Sequence, residues 1–320
     1  MKFCDDETMI DDGISYERAM ACIQSEDEKE IQEMMAIAGR LTRRHHGNRA
    51  DLCGIVNAKS GLCPEDCAFC AQSVKFPTQV RRYPLLDPEM IVAKAREAKK
   101  RGACEFCIVT SGRSLTDEEF KQLLEIVAAV RKRAVIQVDV SIGFLDYPRA
   151  RQLKEAGVTR VNHNVQTSSG FYSRIVRTHT YGERIKTLTA IREAGLEICC
   201  GVILGMGESR EDRVQAAFEI KPFEPVCVPI NLLDPRSGTP LASQVLMEPM
   251  EIVKTIAVFR LILPRSILKL AGGRQVQLNR FQGLALEAGI NGLIVGEYLT
   301  TEGNPLSEDF EILRKAGFDY

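Results

Sequence analysis

Beyond residue 50, short apolar runs rich in β-branched residues alternate with longer stretches of helical periodicity, each boundary marked by Gly, Pro, Asp or Thr. The runs are CGIVNAK (53–59), CEFCIVT (104–110), AVIQVDVSI (134–142), VTRVNHNV (158–165), LEICCGVIL (196–204), PVCVPINLL (225–233), ILKLAGG (267–273) and GLIVG (292–296). Between them lie amphipathic patterns such as DPEMIVAKAREAKKRG, TDEEFKQLLEIVAAVRKR and ERIKTLTAIREAGL. Before residue 50 the pattern is helical throughout, as in DEKEIQEMMAIAGRLTRRHHG.

Eight strands separated by helices are the count of a (β/α)8 TIM-type barrel, whereas an open doubly wound sheet usually stops near six. No Pro/Gly-rich linker divides the chain, so the expected organisation is an N-terminal helical extension (1–50) followed by one barrel (51–320). In such barrels the chemistry sits at the C-terminal ends of the strands. The stretch GLCPEDCAFCAQ (61–72) follows the first strand directly, and the polar groups of NHN (162–164) and PINLL (229–233) fall at or near strand ends.

Composition narrows the partners. The 320 residues are 45% hydrophobic and 27% charged with a formal net charge of −1, which favours neither nucleic acid nor an anionic membrane surface. No apolar run reaches the length of a spanning helix, and the polar, acidic start MKFCDDETMIDDG is unlike a signal peptide, so a cytoplasmic location is expected. Eleven cysteines in such a chain point to metal binding or chemistry rather than disulfides, and with four His any large metal inventory must rest on sulfur.

Cys63, Cys67 and Cys70 are spaced C-x3-C-x2-C. A structural zinc site usually takes four ligands in two short pairs, so zinc would need a fourth donor from elsewhere. A [4Fe–4S] cluster needs one external ligand per iron, and three thiolates would leave one iron open.

This spacing, with Phe69 before the last cysteine, resembles the signature of the radical S-adenosylmethionine (SAM) enzymes. NHNVQTS (162–168), RTHTYGER (177–184), GVILGMGES (201–209), VPINLL (228–233) and LAGGR (270–274) follow in order, and together they resemble the biotin synthase family from about residue 50 to the last strand. The resemblance implies that Cys63, Cys67 and Cys70 hold a [4Fe–4S] cluster whose open iron chelates SAM. It implies that Arg184 pairs with the SAM carboxylate, and that Phe69, Ser111, Asn164, Gln166, Ile203 and Glu208 complete the SAM site. Asn162 and Asn231 would hold the ureido ring of dethiobiotin, since amides donate and accept at once. Gln166 stands where the family usually has a carboxylate, which weakens the expected grip on the ribose hydroxyls.

A second departure concerns the sulfur source. The resemblance implies an auxiliary [2Fe–2S] cluster on three Cys and one Arg. Here Cys107 and Cys199 occupy two of those positions, but the third is Asp139 and the arginine is Lys269. Additional cysteines lie nearby. Strand alternation places Cys227 on the face of Asn231, while Cys200 points towards the helices; Cys104, three before Cys107, would have to reach inward from the start of its strand. The expected site is therefore an all-cysteine, four-iron auxiliary cluster on Cys107, Cys199, Cys227 and Cys104.

The expected activity is sulfur insertion converting dethiobiotin to biotin, with an electron donor such as flavodoxin or ferredoxin, iron–sulfur assembly machinery to load the clusters, and a homodimeric state. The alternatives are a related radical SAM enzyme (lipoyl synthase-like, hydrogenase maturase or methylornithine synthase) and a non-catalytic iron–sulfur carrier, which would have no need of Arg184 or GVILGMGES.

Overall fold

The structure, a computed structural model, describes residues 11–301 and 303–320. Nine parallel strands form its sheet: β1 (Asp51–Lys59), β2 (Glu105–Thr110), β3 (Gln137–Ser141), β4 (Arg160–Asn162), β5 (Glu197–Cys199), β6 (Val202–Leu204), β7 (Cys227–Leu232), β8 (Ile267–Leu270) and β9 (Gly292–Val295). Pairing runs β5-β4-β3-β2-β1-β9-β8-β7-β6, and β5 also pairs with β7, which closes the ring. β5 and β6 are two halves of one stave, so the barrel has eight staves and is of the (β/α)8 TIM type.

The expected strand 196–204 is thus interrupted at Cys200 and Gly201. The register Cys199↔Cys227 and Val202↔Ile230 sets Gly201 opposite Pro229, which has no N–H for the ladder. A Cβ on Gly201 would stand 1.9 Å from the Pro229 carbonyl oxygen, so the residue there must lack a side chain. The freed backbone bonds elsewhere: Gly201 accepts from Gln166 N–H (3.2 Å), and Ile203 donates to the Gln166 carbonyl (2.7 Å).

Helices follow the periodic segments closely. They are α1 (Tyr16–Gln24), α2 (Glu28–His46), α3 (Pro88–Lys100), α4 (Asp117–Ala134), α5 (Tyr147–Ala156), α6 (Ser169–Ile175), α7 (Tyr181–Glu193), α8 (Arg210–Ile220), α9 (Pro249–Ile262), α10 (Arg274–Gln277), α11 (Gln282–Glu287) and α12 (Leu306–Lys315). Their starts are capped by sequence: Thr116/Glu119, Thr180/Glu183 and Ser209/Asp212 form capping boxes on α4, α7 and α8. Outward-facing strand residues such as Phe106, Ile108, Val138 and Val161 are buried against this helical layer, each contributing about 1.5–3 kcal/mol. The extension packs outside the ring, α1 on α8 and α9, α2 on α9 and α11. Among the described residues no helix is long and apolar enough to cross a membrane.

Candidate active site

One cavity of about 420 Å³ opens at the C-terminal ends of the strands and reaches down the lumen. That is a volume suited to small organic ligands. At its mouth the loop after β1 brings Cys63, Cys67, Phe69 and Cys70 to the wall. The loop is shaped by Cys63 N–H donating to Gln72 O (3.1 Å) and Cys70 N–H to Cys67 O (2.9 Å). It docks on the segment preceding α7: Asp66 accepts the N–H groups of Arg177 (2.9 Å) and Thr178 (3.0 Å), while Ala68 N–H reaches Ile175 O (2.8 Å). Burial pushes the Cys67 thiol up to about 12 and Cys70 to about 11, with Cys63 adding to both, so metal binding there must displace protons. Among the described residues no three Cys, His, Asp or Glu side chains close around a single-ion position. Thiols spread along a common wall suit separate corners of a multi-iron cluster.

Arg184, on α7, is buried beside this loop, and each of its three guanidinium nitrogens gives one hydrogen bond within the described residues, which leaves a second N–H on Nη1 and on Nη2. Nε donates to the Tyr172 hydroxyl, Nη1 to Asn164 O (3.0 Å) and Nη2 to His179 Nε2 (3.1 Å). His179 Nδ1 in turn meets Glu65 Oε2 at 2.5 Å, and Arg113 Nη1 reaches the other oxygen of Glu65 at 3.3 Å. An accepting Nε2 makes Nδ1 the protonated nitrogen. Burial, and after it the Arg184 charge, lowers the His179 pKa against the opposing pull of Glu65.

The expected SAM residues mostly share this wall. Ser111, Asn164, Gln166 and Ile203 line the cavity. Asn164 Oδ1 accepts from Gly201 N–H (2.9 Å) and from Asn162 Nδ2 (3.1 Å). Gln166 adopts a positive φ of 74°, and its Oε1 is buried with no hydrogen-bond partner among the described residues. An orphaned acceptor in the cavity is what a ribose hydroxyl would satisfy, so the donor set fits SAM. Glu208 is placed differently from the others. It does not line the cavity; its carboxylate accepts Gly205 N–H (2.9 Å) and Met206 N–H (2.7 Å) and pairs with Arg213 (2.9 Å). It shapes the turn after β6.

Asn162 on β4 and Asn231 on β7 also line the cavity, with the broken β5/β6 stave between them. Asn231 Nδ2 donates to Val202 O (3.2 Å), and Oδ1 accepts from Gly272 N–H (3.2 Å). Asn162 Oδ1 accepts from Ser141, and its Nδ2 lies 3.1 Å from Cys199 Sγ.

The floor holds Cys107, Cys199 and Cys227, together with Asp139, Glu105 and Lys269. Cys199 and Cys227 are direct partners across β5 and β7. Lys269 does stand in the lumen, yet its ammonium is locked by Glu105 and by Asp51 (2.5 Å). Arg160 pairs with Glu105 (2.5 Å) and Glu197 (3.0 Å). Burial, then the Glu105 charge, pushes the Asp139 carboxyl up to about 7. Cys200 is packed in the outer core, as alternation requires. Cys104 lies apart from these residues: it is exposed, outside the cavity, with Sγ 3.3 Å from Leu52 O and 4.0 Å from Asp51 Oδ2. A residue passed over in the sequence, Cys53, lines the cavity. All ten described cysteines are free thiols.

Residues 59–220 match the Radical SAM superfamily, and residues 229–319 match the Biotin and Thiamin Synthesis associated domain. Biotin synthase of Pelotomaculum thermopropionicum is 44% identical over 300 residues, covering 94% of this chain and 93% of that protein. Biotin synthase of Acetivibrio thermocellus is 44% identical over 315 residues, 98% of both chains.

The chain belongs to the biotin synthase family.

It is accordingly an enzyme of the radical SAM class, whose members work with a [4Fe–4S] cluster and SAM. Its fold is also that of methylornithine synthase, with a TM-score of 0.81 at 16% identity, covering 98% of this chain and 96% of that one. The FeFe-hydrogenase maturase of Carboxydothermus hydrogenoformans superposes with a TM-score of 0.83 at 19% identity, covering 96% of this chain and 75% of that one. These two show a shared barrel and nothing of substrate.

Besides Cys53, the sequence reading missed Glu65, Arg113 and His179. Glu65 and His179 lie inside motifs already singled out, but 114 residues separate them, and only the fold makes them partners.

Proposed function

We propose that the chain converts dethiobiotin to biotin by inserting sulfur between two unactivated carbons. The observation that carries this reading is one shared cavity, lined by Cys63, Cys67, Cys70 and Arg184 of the three-cysteine loop and its neighbour, by the amides of Asn162 and Asn231, and by the thiols of Cys107, Cys199 and Cys227. When bound to the three-cysteine loop, the cluster and SAM supply the 5′-deoxyadenosyl radical that removes hydrogen, one radical for each of the two C–H bonds.

The remaining roles fall to side chains. Arg184, oriented by Tyr172, Asn164 and His179, offers its free N–H edges to the SAM carboxylate. Gln166 Oε1 accepts a ribose hydroxyl, and the apolar faces of Phe69 and Ile203 border the adenosyl group. Asn162 and Asn231 present paired donors and acceptors to the ureido ring and hold the carbons between radical source and sulfur source. The lumenal thiols hold an auxiliary iron–sulfur cluster of four irons, the sulfur donor. Lys269 is engaged by two carboxylates and has no lone pair to give, which argues against a [2Fe–2S] cluster with a basic ligand at that position. In this reading the enzyme is cytoplasmic and homodimeric, takes electrons from a flavodoxin or ferredoxin, and is loaded by the iron–sulfur assembly machinery.

Anaerobic turnover of reconstituted protein with dethiobiotin, SAM and a reductant, followed by mass analysis, tests the reading. Biotin with two 5′-deoxyadenosines per product is expected. SAM cleavage without biotin would overturn it.

A further inference from the structure

We infer that Cys53 is the fourth thiolate of the deep cluster site, and that Cys104, one strand away, takes no part in it. The inference rests on the proposed auxiliary cluster and specifies how the chain holds it.

Alternation on β1 decides the direction of Cys53. A Cβ added to Gly54 would come within 2.6 Å of Ala98 Cβ and 3.5 Å of the Phe106 ring, so position 54 faces the helices. Cys53 and Ile55 therefore face the lumen, and both line the cavity. On β2 the same test runs the other way. Glu105, Cys107 and Val109 line the cavity, whereas Phe106 and Ile108 lie in the outer core. Cys104 shares their parity, and it lies before the strand begins, below the level of the floor.

Register then places the four lumenal thiols. Cys53 pairs with Glu105 and Ile55 with Cys107, so Cys53 and Cys107 lie on adjacent staves, one step apart in depth. Cys199 and Cys227 lie level on another adjacent pair, β5 and β7, across the ring. Two pairs of thiols thus face each other across the lumen, an arrangement that serves four corners of one cluster. Among the described residues the Cys53 thiol has only a 3.5 Å contact with the neighbouring Gly54 carbonyl, which gives it no evident structural task.

Charge fits the same assignment. Four thiolates around a four-iron core at the 2+ level form a dianion, which cannot be buried without cations. Lys269 lies within electrostatic reach of Cys53, Cys107, Cys199 and Cys227, and Arg160 within reach of the last two. Glu105 bridges the two cations and holds them at the level of the thiols.

The test counts iron and acid-labile sulfide, with Mössbauer spectra, on anaerobically reconstituted wild type, Cys53→Ala, Cys107→Ala and Cys104→Ala. Wild type and Cys104→Ala should hold about eight irons per chain in two four-iron clusters. Cys53→Ala and Cys107→Ala should each lose about half, while the EPR change on adding SAM shows that the mouth cluster and the fold survive. A Cys53→Ala protein with wild-type iron and spectra would overturn the assignment of Cys53, leaving the auxiliary cluster standing. So would loss of four irons in Cys104→Ala, a surface substitution that keeps the comparison valid even if Cys53→Ala does not fold. Wild type with four irons, unchanged by Cys107→Ala, would overturn the auxiliary cluster and the Cys53 assignment with it.

Discussion

His179 Nε2 lies 3.1 Å from Arg184 Nη2, and this contact links the cluster loop to the arginine that faces the cavity mouth. Glu65, from within the loop, holds the other face of the imidazole at 2.5 Å. Replacing His179 by Ala should raise the SAM KM about tenfold, or about 1.4 kcal/mol, at unchanged iron content. His179→Gln, which retains an acceptor at the Nε2 position, should recover part of that. Steady-state kinetics together with iron analysis checks both.

The same contact has a pH dependence. The His179 pKa is lowered, first by burial and then by Arg184, so the neutral ring belongs to the folded state. A depressed histidine pKa means that the unfolded chain binds the proton more readily, and stability falls as pH drops below the ordinary value of about 6.5. Protonation also turns Nε2–H against the Arg184 guanidinium. SAM affinity should weaken only as pH falls through the lowered folded-state pKa of His179, which lies below the ordinary value, and His179→Gln should flatten the decline; equilibrium binding at several pH values measures it.

Asn231 bonds Val202 O and Gly272 N–H and still faces the lumen. Asn231→Ala should raise the dethiobiotin KM and uncouple the two half-reactions, with more than two 5′-deoxyadenosines formed per biotin. Quantifying both products from one reaction shows the ratio.

Gly201 stands 1.9 Å, by its missing Cβ, from the Pro229 carbonyl. Gly201→Ala must push two adjacent staves apart, at a cost of roughly 3 kcal/mol or more, since backbone cannot yield as a side chain does. A lower thermal midpoint, or loss of soluble protein, is the expected outcome.

Arg274, in the LAGGR motif, pairs with Asp309 of α12 at 2.7 Å with both side chains buried, and also donates to the Tyr298 hydroxyl at 2.8 Å. Asp309→Ala would leave a buried cation without its partner, at a cost of roughly 3–5 kcal/mol. Tyr298 lines the cavity, so the milder Tyr298→Phe should alter substrate KM while leaving the thermal midpoint within a few degrees. Calorimetry on the first and kinetics on the second separate stability from site shape.

The barrel was legible because period-2 runs and helical stretches alternate in the order that a (β/α)8 ring requires. The C-x3-C-x2-C loop was legible because its spacing is local. The partners of Glu208 were not legible, because its motif shows only that the residue belongs to the turn; its carboxylate takes the Gly205 and Met206 amides. Cys104 was favoured for its nearness to Cys107 in sequence, although three residues along a strand reverse the face. The break at Gly201 depended on Pro229, a neighbour through strand pairing alone.

By itself the sequence determined the class of fold, the three-cysteine loop and the family's motifs, because each depends on residues a few positions apart. Tertiary structure alone decided which thiols share the floor and which residue orients Arg184. Cys53 and Cys227 line one lumen only when β1 and β7 close one ring, and Glu65 meets His179 only when their two loops dock. Those distances follow from barrel closure and strand register, which bring together residues that no local period relates.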